Sequence, residues 1–236
     1  MKEIKILHLF PKLLSLYGEY GNVAVLRKTL QDMGCTVFVD TYESGDLCLE
    51  GYDFIFVGTG TEDNLMEANR RLMPYQECVQ ASVASDTLWL ATGNAMTLFG
   101  HSICRFGNTV PAMDCFGFTT TVEDDKRFLG DVLTESAFGG ALVGFINTSS
   151  KFENVDAPLL TLRLGGKLGN DKCSSADGIA AGNFYGTQLI GPVLAKNPHF
   201  LAHICQKLTG ETCTIDQESN IQKAYQVALQ ELSARI

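Results

Sequence analysis

The sequence contains no long hydrophobic run. Its longest nearly apolar stretch, residues 137–146, has ten residues and includes three glycines. A transmembrane helix needs about 20 apolar residues, so membrane insertion is not expected. The first residues, Met-Lys-Glu-Ile, lead directly into an apparent strand and show no apolar signal core beside a small-residue cleavage site. A cytoplasmic location is therefore expected.

Cysteine pairs and basic clusters are also missing. None of the eight cysteines forms a Cys-x-x-Cys pair, which predicts reduced, buried core thiols rather than a disulfide framework. Lys and Arg total 18 against 27 Asp and Glu, giving a net charge of −9. An acidic surface repels phosphate backbones, so no nucleic-acid binding is expected.

Internal repeats, low-complexity tracts and linkers are absent as well. The chain has 236 residues, of which 45% are hydrophobic, and this is enough to bury a core without metals or disulfides. A single domain over residues 1–236 is therefore predicted.

The first hundred residues alternate between strand and helix patterns. Buried strands are predicted at residues 5–10, 35–39, 52–57 and 87–91. Helices are predicted from Asn22, as N-cap, to about Met33, over residues 63–85 with a kink at Pro74, and over residues 95–99. This alternation is typical of an α/β protein with a doubly wound, mostly parallel sheet.

The second half of the chain has a different pattern. Short strand-like runs at residues 116–122, 142–145, 159–164, 179–181 and 184–189 are separated by Gly, Asn and Asp. These runs predict an antiparallel extension of the sheet. Helix patterns return at residues 199–207 and 216–235.

Three segments resemble one family in the correct order. Residues 16–22, Leu-Tyr-Gly-Glu-Tyr-Gly-Asn, resemble the Leu-Tyr-Gly-Asp-x-Gly-Asn opening of the glutaminase subunits of lipid II isoglutaminyl synthase, the GatD type. Residues 142–147, Leu-Val-Gly-Phe-Ile-Asn, are similar to the family's Leu-x-Gly-Phe-Glu-Asn. Residues 186–198, Gly-Thr-Gln-Leu-Ile-Gly-Pro-Val-Leu-Ala-Lys-Asn-Pro, resemble its Gly-Thr-Tyr-x-His-Gly-Pro-Leu-Leu-Pro-Lys-Asn-Pro.

This resemblance implies the flavodoxin-like fold of class I glutamine amidotransferases of the cobyric acid synthase type. It also implies a known chemistry, in which a Cys on a strand-to-helix turn attacks the glutamine amide and a His transfers protons. The ammonia passes to a Mur-ligase-like synthetase subunit, so a heterodimer with such a partner is expected. No cofactor or metal is implied.

Both catalytic positions depart from the family pattern. Where the family has Gly-Ile-Cys-Gly-Gly-Tyr-Gln-x-Leu-Gly, residues 91–100 read Ala-Thr-Gly-Asn-Ala-Met-Thr-Leu-Phe-Gly. The nucleophile position therefore falls on Gly93, or on Thr92 if the alignment slips by one residue. The histidine of the family's His-Gly-Pro falls on Ile190. Loss of both members of a catalytic pair predicts a non-catalytic subunit, because such residues act as a unit.

Two loops at the carboxyl ends of strands are the candidate pocket. Such ends bind ligands in parallel sheets, and the candidates are Gly58, Thr59, Gly60, Thr61, Thr92 and Asn94, with Gln188 and Ile190 facing them. The first loop is either an oxyanion loop or an ordinary turn, and Asn94 is expected to cap the short helix.

Two alternatives stay open at this point. The first is an active glutaminase of the cell-wall or cobyric acid type with a relocated nucleophile, either Thr92 or a cysteine such as Cys104 or Cys115. The second is a different chemistry in the same cleft, such as an unrelated hydrolase, although no Ser–His–Asp or metal pattern recommends it. His199 and His203 stand at i, i+4 spacing, but with no third ligand they are expected to be helix-surface or core residues and not a metal pair.

Overall fold

A six-stranded sheet lies at the centre of the computed structural model, which describes residues 2–236. Its five parallel strands are β1 (Glu3–Leu9), β2 (Thr36–Tyr42), β3 (Phe54–Val57), β4 (Leu88–Thr92) and β14 (Phe184–Thr187). β13 (Ile179–Ala181) pairs antiparallel with β14. The order across the sheet is β13-β14-β4-β3-β1-β2, and the predicted doubly wound, mostly parallel sheet is confirmed.

Alternation along the strands gives the sheet two buried faces. In β3, Ile55 and Val57 belong to one hydrophobic cluster, whereas Phe54 and Phe56 belong to another. Successive side chains of a strand point to opposite faces. Parallel strands covered by helices on both faces therefore read as continuous apolar runs, which is why the sequence pattern identified them.

Six α-helices accompany the sheets in the described residues. They are α1 (Tyr20–Asp32), α2 (Glu62–Leu72), α3 (Gln76–Val83), α4 (Val193–Lys196), α5 (Pro198–Thr209) and α6 (Asn220–Ser233). α2 and α3 contribute to the first cluster and α1 and α5 to the second. The predicted break at Pro74 is confirmed, since a 3₁₀ turn, Met73–Tyr75, separates α2 from α3.

The predicted N-cap of α1 is wrong. The cap position is Glu19, and Asn22 lies inside the helix. Asn22 is buried and its side chain reaches α4, where its Oδ1 accepts from the Leu194 N–H at 2.9 Å. A tertiary contact therefore takes the side chain that a local cap would have used.

Of the strands predicted to form an antiparallel extension of the central sheet, only β13 does so, because β14 pairs parallel with β4. The others form two further four-stranded sheets, β10-β7-β5-β6 and β12-β11-β8-β9. Their strands are β5 (Ser102–Arg105), β6 (Asn108–Pro111), β7 (Thr119–Val122), β8 (Phe128–Ala137), β9 (Gly140–Thr148), β10 (Ser150–Glu153), β11 (Leu160–Leu164) and β12 (Ala176–Asp177). α6 packs on β8 and β9 through a cluster that contains Tyr225 and Leu232.

The cysteines are free thiols, as predicted, but most of them are not core residues. Cys205 is buried, whereas Cys48 and Cys173 are exposed and the other five are half-buried. At Cys48 the neighbours Leu47 and Leu49 take the buried positions, so the thiol between them faces solvent. Among residues 2–236, no helix combines the length and the apolar character that crossing a membrane requires.

Candidate functional site at the carboxyl edge of the sheet

The loop after β1 covers the carboxyl edge of the sheet. Leu16 N–H donates to the Thr59 carbonyl at 3.0 Å, and Asn64 Nδ2 donates to the Leu13 carbonyl at 3.0 Å. A Cβ atom placed on Gly60 would lie 2.7 Å from the Leu13 carbonyl oxygen. Position 60 therefore needs glycine because another backbone segment approaches it closely.

Glu19 lies at the centre of this edge and has no exposed surface. Its Oε2 accepts from Thr92 Oγ1 at 2.6 Å and from Asn22 Nδ2 at 3.0 Å. Its Oε1 accepts from the Gly191 N–H at 2.8 Å. One buried carboxyl group thus connects α1, the end of β4 and the segment after β14.

Burial raises the pKa of Glu19 to about 8, although the hydrogen bonds from Thr92 and Gly191 and the charge of Lys196 oppose the shift. Burial acts in this direction because it disfavours the charged form. The group is therefore mostly a neutral carboxylic acid at pH 7.

The three segments that resemble the glutaminase family meet at this place. Asn22, in the first segment, donates to the Gly191 carbonyl of the third at 3.4 Å. Asn147, in the second, donates through Nδ2 to the Tyr17 hydroxyl at 3.1 Å. Ile190 N–H donates to the Phe145 carbonyl at 3.0 Å. Segments distant in sequence therefore form one continuous structural unit.

Gly93 occupies the strand-to-helix turn with a left-handed backbone, at φ +61°. It begins a 3₁₀ helix, Gly93–Phe99, directly after β4. A Cβ atom placed on Gly93 would lie 2.5 Å from both Cβ and Oγ1 of Thr59 and 3.0 Å from Cγ2 of Ile190. The space that a nucleophile side chain would use is filled by Thr59, and the position expected to hold histidine contributes a methyl group.

Asn94 was predicted to cap the short helix. Its side chain binds the first loop instead. Its Oδ1 accepts from Thr59 Oγ1 at 2.8 Å and from the Gly60 N–H at 3.1 Å, and its Nδ2 donates to the Gly60 carbonyl at 2.8 Å. The cap position is Thr92, which makes no side-chain cap hydrogen bond. An amide side chain of the protein thus satisfies the Gly60 backbone groups that an oxyanion or a substrate amide would need.

The candidate residues at this edge are almost all inaccessible to solvent. Thr92 is 0% exposed, Thr59 3% and Asn94 6%, and Gly58, Gly60 and Gly93 are also buried. Thr61 is exposed and caps α2 by accepting from the Asn64 N–H at 3.2 Å. The loops pack tightly against one another, and these residues leave no opening from solvent to the Gly93 position.

Gln188 was predicted to face these loops, but it does not. Its Nε2 donates to Asp177 Oδ1 at 3.0 Å and to Asn170 Oδ1 at 3.2 Å, and its Oε1 accepts from Lys172 Nζ. Burial raises the pKa of Asp177 and lowers that of Lys172 to about 8. Thr187 Oγ1 completes this second buried network by donating to Asp177 Oδ2 at 2.6 Å.

The histidines do not replace the missing base at Ile190. His203 Nε2 lies 2.9 Å from the Tyr185 hydroxyl, and the His199 ring packs edge-on against Tyr225. His8 is buried in β1, where desolvation lowers its pKa to about 4. In the part of the chain that the structure describes, no group of three or more His, Cys, Asp or Glu side chains is arranged to hold a metal ion.

Comparisons with known proteins agree with this architecture. A glutamine amidotransferase from Thermotoga maritima superposes with a TM-score of 0.52 at 11% identity, covering 98% of this chain and 92% of that one. A second glutamine amidotransferase gives a TM-score of 0.57 at 15% identity, over 87% of this chain and 99% of that one. The chain has the glutamine amidotransferase fold.

Two curated relatives refine the comparison. The chain is 27% identical over 233 residues to the GatD subunit of the glutamine-hydrolysing lipid II isoglutaminyl synthase of Staphylococcus aureus, covering 94% of this chain and 93% of the relative. It is 25% identical over 200 residues to GatD of Streptococcus pneumoniae, covering 83% and 76%. The resemblance to GatD inferred from the three segments is confirmed. No profile of a known protein family matches the sequence.

Sequence reasoning missed Glu19 and Lys196 as parts of this site. Glu19 stands between Gly18 and Tyr20 inside the first resembling segment, and Lys196 lies within the third. Their positions within those segments could have identified them. Their burial could not have been predicted, because acidic and basic side chains are ordinarily solvated.

Proposed function

We propose that this chain is a glutamine amidotransferase-like subunit that does not hydrolyse glutamine by the Cys–His route. It acts with a Mur-ligase-like synthetase partner in the amidation of a cell-wall peptide. The proposal extends to this chain the lipid II isoglutaminyl synthase function in the names of its two relatives.

The filled nucleophile position is the observation that carries the non-catalytic part. Gly93 supplies no nucleophile, and the contact with Thr59 leaves no room for one. Ile190 supplies no base. The Gly60 N–H, a natural oxyanion donor, is already bonded to Asn94. On the Cys–His route, attack, proton transfer and charge stabilisation therefore each lack their group at this edge.

Glutamate release from glutamine tests the proposal. The purified chain would be assayed alone and co-expressed with a Mur-ligase-like synthetase, with staphylococcal GatD and its partner as the positive control. We expect no release above a no-protein blank in either case, together with co-purification of the synthetase. Release that is lost on a single substitution at this edge would refute the non-catalytic proposal, and failure to co-purify would refute the partnership.

A second candidate function rests on the Thr92–Glu19 pair. The 2.6 Å contact and the Glu19 pKa of about 8 are the features of a hydroxyl nucleophile beside a general base. Thr92 Oγ1 would bond to the glutamine amide carbon as its proton moves to Glu19. Glu19 would pass that proton to the amide nitrogen, which leaves as ammonia, and water would hydrolyse the resulting ester to glutamate and free Thr92. Complete burial of both side chains opposes this candidate.

The pH dependence separates the two functions. A Thr92–Glu19 glutaminase would become faster as the pH rises through about 8, because only the ionised carboxylate accepts the proton. Thr92→Val, which keeps the shape and removes the hydroxyl, would abolish it, whereas Thr61→Val at the exposed end of the other loop would not. An activity that is absent from pH 6 to 9 would exclude this candidate.

A further inference from the structure

A cavity lies between α6 and β9, beside the end of α4. Its volume is about 440 Å³, which falls within the range of small-molecule sites. Apolar side chains form most of its walls, among them Val143 and Phe145 from β9 and Ala224, Ala228 and Leu232 from α6. The two alanines leave open the space that larger residues would fill.

Lys196 supplies the polar group of this cavity. It ends α4, lines the cavity and is half-buried. Within residues 2–236, the hydrogen bond made by its Nζ is a long one of 3.4 Å to the Ile190 carbonyl. An ammonium group has three donors, so two of them are without a protein acceptor beside an apolar space. Burial also lowers the pKa of Lys196, although the carboxyl groups of Glu19 and Asp131 oppose this shift.

The other charged groups at the cavity are paired or lie at its rim. Arg235 donates to Asp131 Oδ2 at 2.5 Å, and this pair is part-exposed. Glu231 is exposed on α6. The carboxylates of Asp131 and Glu231 disfavour a ligand with several negative charges, such as a phosphate ester. A neutral apolar ligand would leave Lys196 uncompensated, because buried charges need a partner.

We propose that this cavity binds a small apolar monocarboxylate, with an aromatic or branched aliphatic body against Val143, Phe145 and Leu232 and its carboxylate on Lys196. The apolar walls and the under-bonded ammonium are complementary to that class of compound. The proposal does not rest on the proposed function, since neither Gly93 nor Thr59 lines the cavity and Ile190 contacts Lys196 through its backbone carbonyl.

Calorimetric titration with 3-phenylpropionate tests the site. We expect saturable binding with one site per chain, and binding of the matched alcohol, 3-phenylpropan-1-ol, at least tenfold weaker. Lys196→Gln should weaken binding of the acid at least tenfold and leave the alcohol unchanged. Lys223→Gln, which alters an exposed lysine of α6 paired with Glu218, should change neither.

A cavity-filling variant locates the binding. Ala228→Trp should abolish binding of both compounds, while circular dichroism and thermal unfolding show that the chain is folded. Equal binding of acid and alcohol by the unmodified protein, or no saturable binding of the acid, would overturn the proposal without reference to any variant. Undiminished binding by folded Ala228→Trp would also overturn it.

Discussion

Replacing Glu19 by Gln should remove a pH dependence from the stability of the protein. The folded-state pKa of Glu19 is about 8 against an ordinary value of 4.5. A carboxyl with a raised pKa stabilises the folded state fully below pH 4.5, and this contribution is lost as the pH rises to 8. The loss amounts to at most about 5 kcal/mol, or about 1.4 kcal/mol per pH unit within that window. Gln keeps the shape and cannot ionise.

Urea unfolding of both proteins at half-unit steps from pH 5.5 to 8.5 measures the effect. The free energy of unfolding of the unmodified protein should fall with pH relative to that of Glu19→Gln, so the difference between the two curves isolates this carboxyl from the other titrating groups. Glu50→Gln, at an exposed acidic residue, is the matched control and should run parallel to the unmodified protein. Parallel curves for the unmodified protein and Glu19→Gln would refute the assignment of a buried, neutral Glu19.

Three further predictions concern buried residues at the carboxyl edge of the sheet and in β1. Gly93→Cys should lower the free energy of unfolding by about 2–4 kcal/mol, from its positive φ and the contact with Thr59. Adding Thr59→Gly should recover part of this loss in a double-mutant cycle, and full additivity would contradict the steric argument. Asn94→Ala should cost about 2–4 kcal/mol because it leaves the Gly60 N–H buried without an acceptor, and a change below about 0.5 kcal/mol in urea unfolding would contradict it. The pKa of His8 is about 4 instead of 6.5, because burial disfavours its charged form. The folded state therefore favours neutral His8. Stability should therefore fall by up to about 3 kcal/mol as the pH drops from 6.5 to 4, and His8→Leu should remove this acid sensitivity, which acid titration followed by tryptophan fluorescence would detect.

The parallel half of the fold could be predicted because its signals are local. Buried parallel strands are short apolar runs, and Pro74 interrupts a helical pattern in a way that sequence alone reveals. The mixed second half of the chain has weaker local signals. β8, Phe128–Ala137, includes Gly, Asp, Thr, Glu and Ser, and it is a strand because it pairs with β9 and β11.

The candidate site was predictable where it depends on residue identity. The absence of Cys and His at Gly93 and Ile190 is visible in the sequence. The contacts of Glu19 are not, because its partners Thr92 and Gly191 are 73 and 172 residues away. Gln188 was placed wrongly because β14 ends at Thr187, and alternation no longer gives the direction of the side chains beyond that point.

The hydrogen bonds of Glu19, Asn22 and Asn147 have a consequence for how the sequence can vary. Each of these residues joins segments that are remote in the chain, so folding alone favours keeping them. Position 93 is constrained as well, because its positive φ and the close approach of Thr59 favour glycine. Similarity over the long segments therefore reports the fold, and the residues at positions 93 and 190 are the ones to compare when glutaminase chemistry is in question.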